Sequence, residues 1–232
     1  HVYLDEVLTN MGIRADLGIK QLAYYEQAMG DFDVAVSSAD NTNFELSASL
    51  KGAGNDLSVN GAYREGGVLD LQLAMKQLQL ASIEPFSLGY LKDTEGYLQG
   101  NLNMVGTIDA PRIDGEVNFR ETALSISLLG SRYRLNDQSI RFTGKTMVFD
   151  QFTLLDENDN SATLDGRVVL NSLEEIQLDL KARTKDFLAV NSTEKDNDLF
   201  YGYLRVDADV TINGTAAEPR LIVDAAPSSE SN

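Results

Sequence analysis

The chain is 232 residues long and 43% hydrophobic, enough to bury a sizeable core, and an all-β chain of this length commonly forms one domain. Its 36 acidic residues against 19 basic ones leave a formal net charge of −17, which argues against nucleic acid as a partner, because neutralising phosphates takes clustered Lys and Arg, and against anionic membrane surfaces. With no cysteine and a single histidine, His1, it has no disulfide framework, thiolate nucleophile, Cys-ligated zinc, Ser-His-Asp arrangement or histidine metal cluster.

No apolar run approaches the roughly 20 residues that span a bilayer, and His1-Val-Tyr-Leu-Asp5 carries neither a basic n-region nor an h-region. The sequence begins in mid-pattern without Met, so a fragment of a longer protein is expected, with 227–232 as a disordered tail. Residues 1–31 are poorly patterned. Leu17 and Ile19 suggest a strand, and Lys20 to Met29 fits helix or strand equally. From Phe32 the alternation is clean: Phe32, Val34, Val36; Phe44, Leu46, Ala48, Leu50; Leu57, Val59, Gly61, Tyr63; Leu69, Leu71, Leu73, Met75. Turn chemistry separates these runs, at Ser38–Asn43, Lys51–Asp56 and Arg64–Gly67, which predicts a meander of hairpins. The apolar phase slips at Met75-Lys-Gln-Leu78, as a β-bulge or strand break would make it.

Ser82 to Leu91 breaks the alternation. Ser82 can cap, Pro85 sits in the first turn, and Ile83, Phe86, Tyr90 and Leu91 recur near helical spacing, which predicts one short helix over an edge or open end of the sheet. Strands resume with Leu98, Gly100, Leu102, Met104 and Gly106, turn at Pro111, and continue through Ile113, Gly115, Val117, Phe119; Leu124, Ile126, Leu128; Tyr133, Leu135; Ile140, Phe142; and Phe149, with Phe152 and Leu154 after a second slip. Then follow Ala162, Leu164, Gly166, Val168, Leu170 and Ile176, Leu178, Leu180, Ala182. Lys185 to Asn197 reads as a polar loop, and Gly202-Tyr-Leu204 opens a final strand through Val206, Ala208, Val210 and Ile212.

The pattern is written twice. Leu57-Ser-Val59-Asn-Gly61 matches Ala162-Thr-Leu164-Asp-Gly166, an offset of 105 (166 minus 61), and Leu71-Gln-Leu73 matches Ile176-Gln-Leu178 at the same offset. Gly106-Thr107, three residues and Pro111-Arg112 return as Gly214-Thr215, three residues and Pro219-Arg220. The expected organisation is therefore a single β domain over 1–226, made of two stacked repeats of about 105 residues (approximately 1–106 and 107–224). In it the Gly-Thr to Pro-Arg phrase punctuates the units and is not a ligand loop.

Asp156 to Gly166, the Ile-Gln-Leu strand, Asp186-Phe-Leu-Ala-Val190-Asn-Ser-Thr193, Asn197-Asp-Leu-Phe200-Tyr-Gly202, Gly214-Thr215 and Pro219 follow one another in an order that resembles the TamB family of bacterial envelope proteins, within the AsmA-like group of bridge-like lipid transfer proteins. The resemblance spans roughly residues 44 to 224 and points to a fragment from the C-terminal part. It implies an all-β fold, an elongated curved antiparallel sheet folded lengthwise into an apolar groove, often likened to a taco. It also implies a periplasmic location, a full-length protein anchored in the inner membrane, phospholipid acyl chains as cargo, and a TamA-type outer-membrane barrel protein as a partner.

The alternating apolar positions fit a groove wall as well as an ordinary sandwich or barrel core, since both share the period of two. With the repeat and the resemblance, the groove is the expected use, and its lining is assigned to Leu98, Leu102, Met104, Val117, Phe119, Leu124, Ile126, Leu128, Ile140, Phe142, Leu164, Val168, Ile176, Leu178, Leu180, Val206, Val210 and Ile212. No polar residue recurs among them, which suits a conduit better than a specific pocket. Asp156-Glu-Asn158-Asp-Asn160 opens like a calcium loop, but Ser161 replaces the glycine at the sixth position and Arg167 the glutamate at the twelfth, so a solvated hairpin turn is expected there. Glu174-Glu175 reads as surface. The expectation is a protein without enzymatic activity or cofactor. It shelters lipid, or alternatively assembles outer-membrane β-barrel proteins by β-augmentation, or serves as a spacer or carbohydrate-binding solenoid.

Overall fold

The computed structural model describes residues 12–40, 42–172, 175–194 and 201–228. His1, Glu174, Asn197 to Phe200, and 229–232 of the expected tail lie outside the described residues. The strands, in chain order, are β1 Ile13–Tyr24, β2 Gln27–Ser38, β3 Phe44–Gly52, β4 Asn55–Arg64, β5 Val68–Gln79, β6 Leu91–Thr107, β7 Ala110–Ile126, β8 Ser131–Leu135, β9 Ser139–Thr143, β10 Thr146–Leu155, β11 Ser161–Leu170, β12 Ile176–Ser192, β13 Gly202–Thr215 and β14 Pro219–Pro227. All fourteen belong to one antiparallel sheet in which sequence neighbours are hydrogen-bonded neighbours. The one departure is instructive. Thr122 pairs Leu135 and Gly115 pairs Phe142, and each step along β7 is matched by the same step along 131–143. β8 and β9 are thus two halves of one interrupted strand between β7 and β10.

The fold is the expected one, an all-β curved sheet, and the differences from the sequence expectations are local. Lys20 to Met29 is the end of β1, a Tyr24–Gln27 hairpin and the start of β2. The helix expected from Ser82 is instead two 3-10 turns, Leu80–Ser82 and Glu84–Ser87. Ser82 closes the first turn instead of capping a helix, and its hydroxyl accepts a hydrogen bond from Asn55 Nδ2 at 2.8 Å. Pro85 lacks an N–H, and left-handed Leu88 followed by Gly89 at φ +84° ends the run. The polar loop expected from Lys185 is β12 continuing to Ser192, because a bulge at Asp186 shifts the apolar phase. β14, built on Pro219 to Pro227, is a strand beyond the last one expected and takes in the first residue of the expected tail.

Bulges crease the sheet. Residues with positive φ interrupt the strands at Gln21, Asp93, Glu121, Gln151 and Asp186, and Asp137 does so between β8 and β9. Both slips in the sequence pattern are register shifts, between Met75 and Leu78 and between Phe149 and Phe152. Three bulges are built alike. The backbone N–H of Gln21 donates to Asp31 at 2.9 Å, that of Gln151 to Asp165 at 2.8 Å and that of Asp186 to Asp207 at 2.6 Å, each carboxylate coming from the next strand. All lie toward the rim that carries the Tyr24–Gln27 and Leu155–Ser161 turns, called the far rim below. Each bulge bends its own strand and increases the local twist, which curls the sheet toward that rim.

The two Gly-Thr to Pro-Arg phrases form hairpins of the same construction on the opposite, near rim. Gly106 pairs Pro111 and Gly214 pairs Pro219. Thr107 Oγ1 accepts the N–H of Ala110 at 3.2 Å and Thr215 Oγ1 that of Glu218 at 3.1 Å. The offset of 105 does not carry over to the strand pairing, however: Gly61 faces Leu71, whereas Gly166 faces Leu180 and not Ile176.

Candidate functional site

Paired residues of an antiparallel ladder share a face, so the register traces what that face presents. One row runs Leu17, Val34, Ala48, Val59, Leu73, Leu102, Gly115, Phe142, Met147, Val168, Leu178, Gly214, Pro219, crossing the sheet from β1 to β14 without a polar side chain. At the usual strand spacing it is roughly 55 Å long. The row one residue away, on the other face, runs Asp33, Ser49, Ser58, Ala74, Asn101, Glu116, Arg141, Val148, Arg167, Asp179, Asn213, Arg220. One face is continuously apolar and the other is charged and amide-rich.

Leu102, Phe142, Val168 and Leu178 lie in the apolar row itself. Val117 and Ile140 pair in the adjacent one, and Leu98 with Phe119, Leu180 with Ile212, and the Leu164–Ala182–Val210 ladder extend the same face. Met104 and Ile176 join it through Leu71 and Leu170. Beyond the crease, Leu124 pairs Tyr133, whose ring stacks on Phe187 at 5.2 Å, and Phe187 pairs Val206. This brings Leu124, Ile126 and Val206 to the same side. Leu128 sits apart, in the β7–β8 turn, 43% exposed. Of the lining expected from the sequence only Val117, Val168 and Val206 are buried, the others on the face being half-buried, whereas Tyr133 and Phe187 at the crease are buried. A sandwich core would be sealed by a second sheet, but every described strand belongs to the one sheet, so the apolar face is screened by that sheet's own curl, which at the far rim brings the β7–β8 turn against β12, the Asn191 N–H donating to the Leu129 carbonyl at 2.8 Å.

Val34, Val59, Leu73 and Met147 belong to the same row although the sequence reading did not nominate them. The alternation that marked their strands was the available signal. Tyr133, Phe152 and Phe187 at the crease had a weaker one, since the bulges put them out of phase with their own strands.

The far rim of the second half holds the most buried polar cluster. Asp156, in the β10–β11 turn, is 1% exposed, not the solvated turn residue expected. Its carboxylate accepts the N–H groups of Asn158, Asn160 and Leu188 and the Asn160 side-chain amide. Burial alone would push this carboxyl up, but those donors outweigh it and hold it below the ordinary range. Arg205, also buried, grips Asp186 through Nε at 3.1 Å and Nη2 at 2.9 Å and lies 3.9 Å from Asp156. The Arg205 bond keeps Asp186 ionised well into acid. Tyr133 donates its hydroxyl to the carbonyls of Leu188 and Ala189. Both oxygens of the Asp156 carboxylate are thus already engaged, and among the described residues no group of three or more His, Cys, Asp and Glu could hold a metal.

Residues 150–231, which start within β10 and take in Asp156, Asp186 and Arg205 of this cluster, match the family model of the TamB C-terminal domain. That stretch belongs to the TamB family. The resemblance drawn from Asp156 to Pro219 is borne out, and the TamB segment contributes the Val168, Leu178 and Gly214 end of the apolar row. TamB proteins are proteins of the bacterial envelope, and among the described residues no helix is long and apolar enough to cross a membrane. No curated protein and no solved structure matches the chain.

Proposed function

We propose that the sheet is a periplasmic segment of an envelope-spanning lipid transfer protein and shelters phospholipid acyl chains between the inner and outer membranes, without enzymatic activity and without a cofactor. The observation that carries this reading is the unbroken apolar row from Leu17 to Pro219 on one face of a single sheet. Acyl chains need a continuous surface free of fixed polar groups, and they gain from burial in proportion to the area removed from water. In this reading the full-length protein is anchored in the inner membrane. A photocrosslinker at Ile126 or Leu178 in cells should capture phospholipid. Crosslinks confined to protein would sink the conduit.

A second reading has its own support. Among the described residues β1 and β14 are each paired on one side only, and β14 exposes Leu221, Ile222 and Val223. Such edges can receive another strand, as an assembly module working with a TamA-type barrel partner on outer-membrane β-barrel proteins would require. A crosslinker at Ile222 that captures unfolded barrel protein, with none captured from Leu178, would favour this reading over the conduit.

A further inference from the structure

At the far rim of the first half, two loops meet in an exposed apolar tip. Tyr24 stacks on Phe86 with ring centroids 4.8 Å apart, and Tyr25 meets Tyr24 edge-on. Tyr25 is 79% exposed, Phe86 57%, Leu88 88% and Tyr90 64%. The tip is held rigidly. Glu84 accepts the backbone N–H and hydroxyl of Thr94 at 3.0 and 2.7 Å, Ser127 Oγ donates to the Gly89 carbonyl at 2.6 Å, and the Ser127 N–H donates to the Tyr90 carbonyl at 3.0 Å. Leu88 itself sits in the left-handed region at φ +53°, where Gly or Asn would be unstrained and where leucine is a rarity. The fold gains nothing from a leucine that is both strained and in water, and such an outlier points to function.

We propose that this tip is a contact for a lipid bilayer of zwitterionic headgroups, with Leu88 and Phe86 entering the interface and the tyrosines lying at headgroup depth. Tyrosine, phenylalanine and leucine around a small protrusion are the side chains that partition into that zone. The nearby charges, Glu26, Glu84, Lys92 and Asp93, include one cation among three carboxylates, and the chain carries −17 overall, so anionic lipid offers no attraction. The area decides against a protein surface. A stable interface takes some 20–30 residues a side, far more than the five side chains of this tip, whereas a bilayer asks only for a few apolar groups that can leave water.

The sequence contains no tryptophan, so Leu88→Trp supplies a single reporter, with Ala217→Trp in the near-rim turn as the control. On titration with phosphatidylcholine vesicles, the first should shift to the blue and be quenched by brominated phosphatidylcholine, and the second should not. Leu88→Asp should weaken vesicle flotation about tenfold or more. The shift should persist when Leu178→Arg is added, which separates surface contact from uptake of lipid along the apolar face. An unchanged spectrum, a shift lost with Leu178→Arg, binding that requires anionic lipid, or a lipid-independent shift that grows with protein concentration and so marks self-association, would each overturn the proposal.

Discussion

Asp156 shows how one side chain can hold two distant parts of a sheet. It belongs to the turn after β10, yet it accepts the N–H of Leu188 in β12, and with the Tyr133 hydroxyl it draws β12 toward β8. Asp156→Asn puts an amide NH2 where an acceptor is needed and strands a buried donor, so a loss of about 1–3 kcal/mol is expected in urea denaturation. The pH dependence has a definite sign. A carboxyl whose folded value lies below its ordinary 3.8 contributes its full stability above that value and loses it as the pH falls through the folded one. The wild type should therefore destabilise steeply from about pH 4 downward, and Asp156→Asn should flatten that slope. Gly166 acts through its backbone: a Cβ there, with φ +126°, would come within 2.2 Å of the Asp179 carbonyl, so Gly166→Ala should cost about 2 kcal/mol or more.

Among the elements, the bulged strands decide what was legible in the sequence. Period-two alternation located β2 to β13, because a strand with one wet face writes that pattern directly. The bulges at Gln21 and Asp186 were not legible, since the carboxylates that capture their N–H groups sit on the next strand and leave no local signature, and the one at Glu121 was read as the gap between two strands. Glu121 turned the β7 phase from Phe119 to Thr122, and Asp186 made half of β12 look like a loop. The wall residues were readable wherever the phase held; Leu128, nominated by continuing it past the strand's end, lies in a turn. If these carboxylates hold the crease, Asp165→Ala and Asp207→Ala should each cost about 1–2 kcal/mol. The double variant should cost nearly the sum, because different bulges are involved.

On the scale of the whole molecule, the half-buried apolar face sets the tolerance to substitution. Leu178 is only half-buried, so Leu178→Arg should leave the circular dichroism of the sheet intact while abolishing the proposed lipid carriage. Tyr133→Ala removes a fully buried ring stacked on Phe187 and should cost about 3–5 kcal/mol. If Leu178→Arg unfolds the chain as readily as Tyr133→Ala, the face is a packed core.

The meander topology also bears on how the chain acquires its structure. Nearly every strand pairs only with the strands before and after it, so strand pairing does not have to wait for a distant part of the sequence, and loop closure stays cheap for the ladder; the contacts of Tyr133 and Asp156 with Leu188 come after it. The sheet can lengthen one hairpin at a time, each new strand finding a finished edge to dock on. Protection from amide exchange should then fall outward from β6 and β7 and from β12 and β13, the longest pairs, toward β1 and β14.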